Sequence, residues 1–239
     1  MGKTLKIASW ILGLLILIVL IRYPIETKDS WQTWSLPLAG QIIVLDPGHG
    51  GVDGGAVGAD DTLEKDIALQ VSKHLRDYLQ QAGALVYLTR EKDVDLADED
   101  IKSLSKRKSQ DIRRRVQLID DKEADFFVSV HLNAIPSTKW HGAQSFYNPT
   151  SPESERLAKF IQTEIKRNLE NTTRNALAKN NMYLLKQTEP PGALVEIGFL
   201  SNVHERDLLK TDSYQKKVAA SIYEGILRYV TEEKVPEGS

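Results

Sequence analysis

Four consecutive apolar residues, Ile42-Ile43-Val44-Leu45, run directly into Asp46-Pro47-Gly48-His49-Gly50-Gly51-Val52-Asp53-Gly54-Gly55-Ala56-Val57-Gly58, which holds six of the chain's 15 glycines. A short β-branched run without polar alternation is a strand buried on both faces. Glycine at this density means backbone turned tightly or pressed against something bound. The pair therefore points to a layered fold in which a buried strand delivers a loop to its carboxyl end. A phosphate loop is one such arrangement, but no Gly-Lys-Ser/Thr closes the segment and no helix begins at its last glycine.

The chain continues the alternation. Strands are expected over residues 85–89, 126–132, 143–147, 182–185 and 193–197. Helices are expected over 64–82, where Ile67, Val71, Leu75, Tyr78 and Leu79 share a face, and from about 104 to 119. Two more are expected over 152–171 and 212–230. Strands alternating with helices give an α/β fold with helices on both faces of the sheet. A charged stretch interrupts the pattern, with five acids from Asp93 to Asp100 and then seven Lys or Arg from Lys102 to Arg115. Such a basic run reads first as a solvated helix face.

At the N-terminus, Lys3 and Lys6 precede an uncharged, mostly apolar run from Ile7 to Ile21, and Arg22 follows. No small-x-small cleavage site comes next. Because Lys6 and Arg22 can snorkel, residues 1–25 are expected to form an uncleaved signal anchor that places the remainder outside the cytoplasm. Residues 26–40 read as a linker, 41–231 as one catalytic domain and 232–239 as a tail.

Composition narrows the chemistry. The absence of cysteine excludes disulfides, Cys-ligated zinc, iron–sulfur clusters and thiol nucleophiles, so any metal relies on five histidines and the carboxylates. A net charge of −2 gives no basic field for nucleic acid. His49 and His131 both sit at strand ends, where open α/β sheets bind ligands. Glu64 opens the first helix after the glycine loop. Glu196 lies in Leu194-Val195-Glu196-Ile197, where its desolvation must be offset by a metal, a hydrogen bond or protonation. Two imidazoles and one carboxylate are the ligand set of an open zinc site, and a second, unligated glutamate is what a hydrolytic centre needs as general base. Spacing leaves open which glutamate does which.

These residues meet a family. From 41 to 230 the chain resembles the zinc-dependent N-acetylmuramoyl-L-alanine amidases of the third amidase type. The resemblance is carried by I-V-L-D-P-G-H-G-G at 43–51, Leu63-Glu64-Lys65, L-T-R at 88–90, Arg115, S-V-H-L-N-A at 129–134 and V-E-I-G-F-L-S-N at 195–202. It implies a twisted mixed sheet of about six strands, one Zn²⁺ bound by His49, Glu64 and His131, and Glu196 as the catalytic glutamate. His141, Asn133, Arg90 and Arg115 are candidates for the substrate cleft. Peptidoglycan is the implied substrate, with an activating protein as a further partner. Within the family the chain is most similar to the germination-specific type of endospore formers, which prepares the spore cortex for muramic-δ-lactam formation. A zinc deacetylase or peptidase on the same polymer, or a non-catalytic wall-binding module, are the alternatives.

Overall fold

The computed structural model describes residues 2–22 and 36–231. These divide into two compact units, one within Met1–Ser35 and the other within Leu36–Ser239. The first contains helix α1 (Lys3–Arg22), whose described large apolar side chains, such as Leu5, Trp10 and Leu14, are exposed. Among the described residues, no helix is long and apolar enough to cross a membrane. The expected linker and tail lie largely outside the described residues. Leu38, expected in the linker, is instead fully buried, and its N–H donates to the Ala82 carbonyl.

The second unit is built on strands β1 (Ile42–Pro47), β2 (Leu85–Leu88), β3 (Phe126–Asn133), β4 (Gln144–Tyr147), β5 (Leu177–Ala178) and β6 (Gly192–Phe199). They form one mixed sheet in the order β2-β1-β3-β6-β4-β5. The pairs β1–β2, β1–β3, β3–β6 and β4–β5 are parallel, and β4 runs antiparallel to β6. Helices cover both faces, as the alternation of the sequence requires. Helices α2 (Glu64–Gln81), α4 (Pro152–Leu169) and α7 (Asp212–Thr231) pack on one face, while α3 (Leu104–Asp121) and α5 (Tyr183–Gln187) pack together on the other. A short α6 (Val203–Leu209) joins β6 to α7.

The period-2 alternation of the strands separates the two faces. Ile43, Leu45, Val128, Val130, Val195 and Ile197 belong to the large apolar core with Leu75, Phe160, Ile161 and Ile222. The residues between them, Val44, Phe127 and Leu194, form a smaller core with Ile119, Leu184 and Leu185. Further toward the carboxyl ends of the strands this second face turns polar, with Asp46, Ser129, His131 and Glu196.

One expected strand is corrected. Residues 183–185 are helical, as part of α5, with Met182 as its extended N-cap, because a four-residue apolar run carries no period of its own. Its Leu184 and Leu185 cap the smaller core without joining the sheet. The charged stretch is also more than a solvated face. Arg107 pairs with Asp95 at 2.8 Å and Arg114 with Asp98 at 2.6 Å, so the basic helix α3 clasps the acidic loop before it.

Candidate active site

His49 leaves the carboxyl end of β1 in the left-handed region, at φ 59°, a conformation that costs a non-glycine residue roughly 1–2 kcal/mol. Two buried arginines brace this turn. Arg90 donates from Nε to the Pro47 carbonyl at 3.1 Å and from Nη2 to the Gly48 carbonyl at 2.8 Å. Arg115 donates from Nη1 to the Pro47 carbonyl at 2.7 Å, and its Nη2 reaches the His49 carbonyl. Beneath them, the buried Asp46 accepts from Arg115 at 2.8 Å and from Thr89 and Ser129 at 2.6 Å. Burial alone would raise the Asp46 pKa, but the Arg115 guanidinium and the two hydroxyls outweigh it and lower the value to about 2.

Glu64 is buried at the start of α2. Its Oε1 lies 2.9 Å from His131 Nδ1 and its Oε2 lies 3.2 Å from His49 Nε2. The backbone N–H groups of Ala56 (2.7 Å) and Leu132 (2.9 Å) also donate to it. Burial opposes its charge, but the two imidazoles prevail and hold the carboxyl well below the usual range. For His49, burial works against the charged form, and Glu64 and Asp53 overcome it, so its pKa rises. The imidazoles of His49 and His131 meet edge to face, with centroids 5.1 Å apart.

These three side chains fit a metal. One donor atom from each of His49, Glu64 and His131 falls within 4.8 Å of the others. Tetrahedral zinc with bonds of about 2.0–2.1 Å separates neighbouring ligand atoms by roughly 3.3 Å, close to the observed contacts. The surrounding backbone leaves no slack. A Cβ at Gly48 would meet His131 Cε1 at 2.4 Å, and one at Gly55 (φ 72°) would meet Glu64 Oε2 at 2.5 Å. These are the close approaches that the glycine density foretold.

Glu196 lies opposite His131 in the β3–β6 register, so the two side chains leave the same face of neighbouring strands. Its Oε2 is buried and has no hydrogen-bond partner among the described residues. Burial pushes the Glu196 carboxyl up, the His131 imidazole draws it back, and the Glu64 carboxylate adds to the rise.

The cleft candidates separate. Arg115 is 1% exposed and Arg90 3%, and their guanidinium groups are engaged by backbone carbonyls and buried carboxylates. Both lie beneath the glycine loop, and Arg115 also lines the cavity that His49 and His131 share. His141 is exposed beside a separate cavity with Trp140, Asn171 and Arg174, and its Nδ1 lies 3.2 Å from the Asn171 carbonyl. Asn133 ends β3 two residues beyond His131, across a register shift. His74 pairs with Asp212 at 3.0 Å, and His204 lies in α6, where a polar turn was expected.

Two buried or half-buried acids, one at the site and one beyond it, were not singled out from the sequence. Asp53 places Oδ2 2.8 Å from His49 Nδ1, and an acid four residues after a loop histidine was the available signal. Glu205 is buried and accepts from the N–H groups of Phe199 (2.8 Å) and Gly142 (2.9 Å), tying the exit of β6 to the approach of β4. It lies three residues after Asn202, which caps α6 and accepts from the Glu205 N–H.

A family model of N-acetylmuramoyl-L-alanine amidases matches residues 43–228, from the first strand of the sheet into its last helix. The chain belongs to this amidase family. It is 56% identical over 236 residues to the germination-specific N-acetylmuramoyl-L-alanine amidase of Bacillus subtilis (strain 168), covering 99% of both chains. The N-acetylmuramoyl-L-alanine amidase LytC of the same organism is 32% identical over 207 residues, which span 86% of this chain and 38% of LytC. Among solved structures, the CwlD amidase from Clostridioides difficile, in complex with the GerS lipoprotein, superposes with a TM-score of 0.79. That match has 40% identity and covers 81% of this chain and 100% of the other. The mixed six-stranded sheet is therefore the amidase fold.

Proposed function

We propose that this amidase is a zinc-dependent hydrolase that cleaves the amide joining the lactyl group of N-acetylmuramic acid to L-alanine in peptidoglycan. The observation that carries the reading is the placement of Glu196, with its unpartnered buried Oε2, beside the three-donor group of His49, Glu64 and His131. Zinc held by those three residues supplies Lewis acidity toward a carbonyl oxygen and acidifies water. Glu196 takes the proton of the attacking water at Oε2 and returns it to the leaving amine nitrogen. Its raised pKa suits both transfers, because a base that is too acidic would hold the proton too weakly to pass it on. Asn133, two residues beyond His131 at the end of β3, is the candidate substrate contact.

The 56% identity to the germination-specific relative supports a role in preparing spore cortex, where peptide removal from muramic acid precedes muramic-δ-lactam formation. The lipoprotein complex of the CwlD relative supports a protein activator. Lys3 and Lys6 ahead of the exposed apolar side chains of α1 support tethering outside the cytoplasm, and deleting residues 2–22 is expected to release the protein from the membrane fraction.

The zinc-loaded full chain is tested on purified peptidoglycan, with mass spectrometry of the products. New L-alanine amino termini with intact N-acetyl groups are the expected result. Released acetate, or cleavage between amino acids, would replace the proposed bond with that of a deacetylase or peptidase.

A further inference from the structure

Most of the basic residues whose contacts are described in α3 face the acidic loop or the sheet, but Lys108 does neither. Its Nζ lies 2.7 Å from Asp53 Oδ1 in the glycine loop. The other oxygen of the same carboxylate, Oδ2, lies 2.8 Å from His49 Nδ1. The N–H of Gly55 donates to Oδ1 at 3.1 Å, which fixes the plane of the carboxylate from a third side. His49 then presents Nε2 to Glu64 at 3.2 Å. The result is a chain of contacts from helix surface to metal group: Lys108, Asp53, His49. The Asp53 side chain is 14% exposed and that of Lys108 is 48% exposed, so the chain starts in solvent and ends in the site.

A carboxylate only accepts hydrogen bonds, so Asp53 and Glu64 both face His49 as acceptors, Asp53 at Nδ1 and Glu64 at Nε2. When a metal takes the Nε2 lone pair, the remaining proton of the ring sits on Nδ1, where Asp53 accepts it. Without the acceptor, the ring divides between two tautomers and two orientations, and only one combination ligates. We propose that Asp53 is a positioning residue that locks His49 in the zinc-ligating tautomer, and that Lys108 holds Asp53 in place, so helix α3 sets the zinc affinity of the site. This rests on the reading of His49 as a zinc ligand.

The test measures zinc affinity of the full chain by competition with a chromophoric chelator, with circular dichroism and melting of the zinc-free protein as fold controls. Asp53→Ala is expected to weaken zinc binding by about 10- to 100-fold with the fold intact. Lys108→Met is expected to weaken it several-fold, and Lys108→Arg to restore it. Unchanged affinity in a folded Asp53→Ala variant overturns the proposal. His49→Ala separates this failure from that of the underlying reading: zinc affinity that survives His49→Ala removes His49 from the ligand set. If Asp53→Ala does not fold, imidazole ¹⁵N shifts of the wild-type protein decide. Once zinc is added, ligation through Nε2 with a protonated Nδ1 on His49 is expected, and ligation through Nδ1 overturns the role of Asp53.

Discussion

On one face of the sheet, Ile43, Leu45, Val128, Val130, Val195 and Ile197 meet α2, α4 and α7 in a dry core. On the other, the same strands present Val44, Phe127 and Leu194 to α3 and α5, then Asp46, Ser129, His131 and Glu196 one or two alternations further on. The first face is held by contacts that any well-packed apolar residue can make. The second is held by a few polar groups whose partners must all be present. Asp46 depends on Arg115, Thr89 and Ser129, and Glu64 on two imidazoles and two backbone donors. Chemistry is possible on that face because its carboxylates are desolvated, and it folds because almost every one of them is answered. Glu196 Oε2 is an unanswered atom there, and it is the one assigned to take a proton.

The contrast can be broken at several points. Glu196→Gln keeps the shape and removes the base, so turnover should fall by about 10²- to 10⁴-fold. Zinc content and melting temperature should stay those of the parent; retained activity would falsify the role. Arg115→Met strands Asp46 in the interior and withdraws the brace from His49. It should cost about 3–5 kcal/mol in urea unfolding and lower zinc affinity as well. Leu75→Ala, fully buried on the apolar face, should cost a comparable or smaller amount, about 2–5 kcal/mol. Activity per folded molecule should remain, so equal losses of activity in the two variants would deny that the faces differ in function.

Acid sharpens the same difference. The Asp46 pKa is lowered from 3.8 in the unfolded chain to about 2 in the fold. Its contribution to stability is therefore complete above 3.8 and is lost as pH falls through about 2. Stability curves of the parent and of Asp46→Asn should diverge above pH 4 and converge toward pH 2. The smallest effect is expected at His141→Ala, in the separate cavity: less than about 0.5 kcal/mol in stability, with turnover unchanged.

Much of this was open to inspection in the chain. Apolar runs placed β1, β3 and β6, helical periods placed α2, α4 and α7, and turn glycines marked where the loop closes on the site. Each of these signals is local, because propensity and periodicity act over a few residues. The run at 182–185 misled for the same reason. Four apolar residues fit either element, and the packing of Leu184 and Leu185 against Val44 and Phe127 resolved it. The chemical types at His49, Glu64, His131 and Glu196 were also evident, since a carboxylate amid Val and Ile announces that something must compensate it.

What the linear order could not disclose was who answers whom. Arg115 and Asp46 are 69 positions apart, and Glu64 and His131 are 67 apart. Separations of that length are bridged only when the sheet fixes its strand order and register. Register sets Glu196 opposite His131, buries Arg90 and Arg115 beneath the glycine loop, and brings Lys108 of the basic helix onto Asp53. The residue types supplied the donors and acceptors. Their pairing came from strand register and helix packing, because electrostatic and hydrogen-bonding partners are chosen by distance in space.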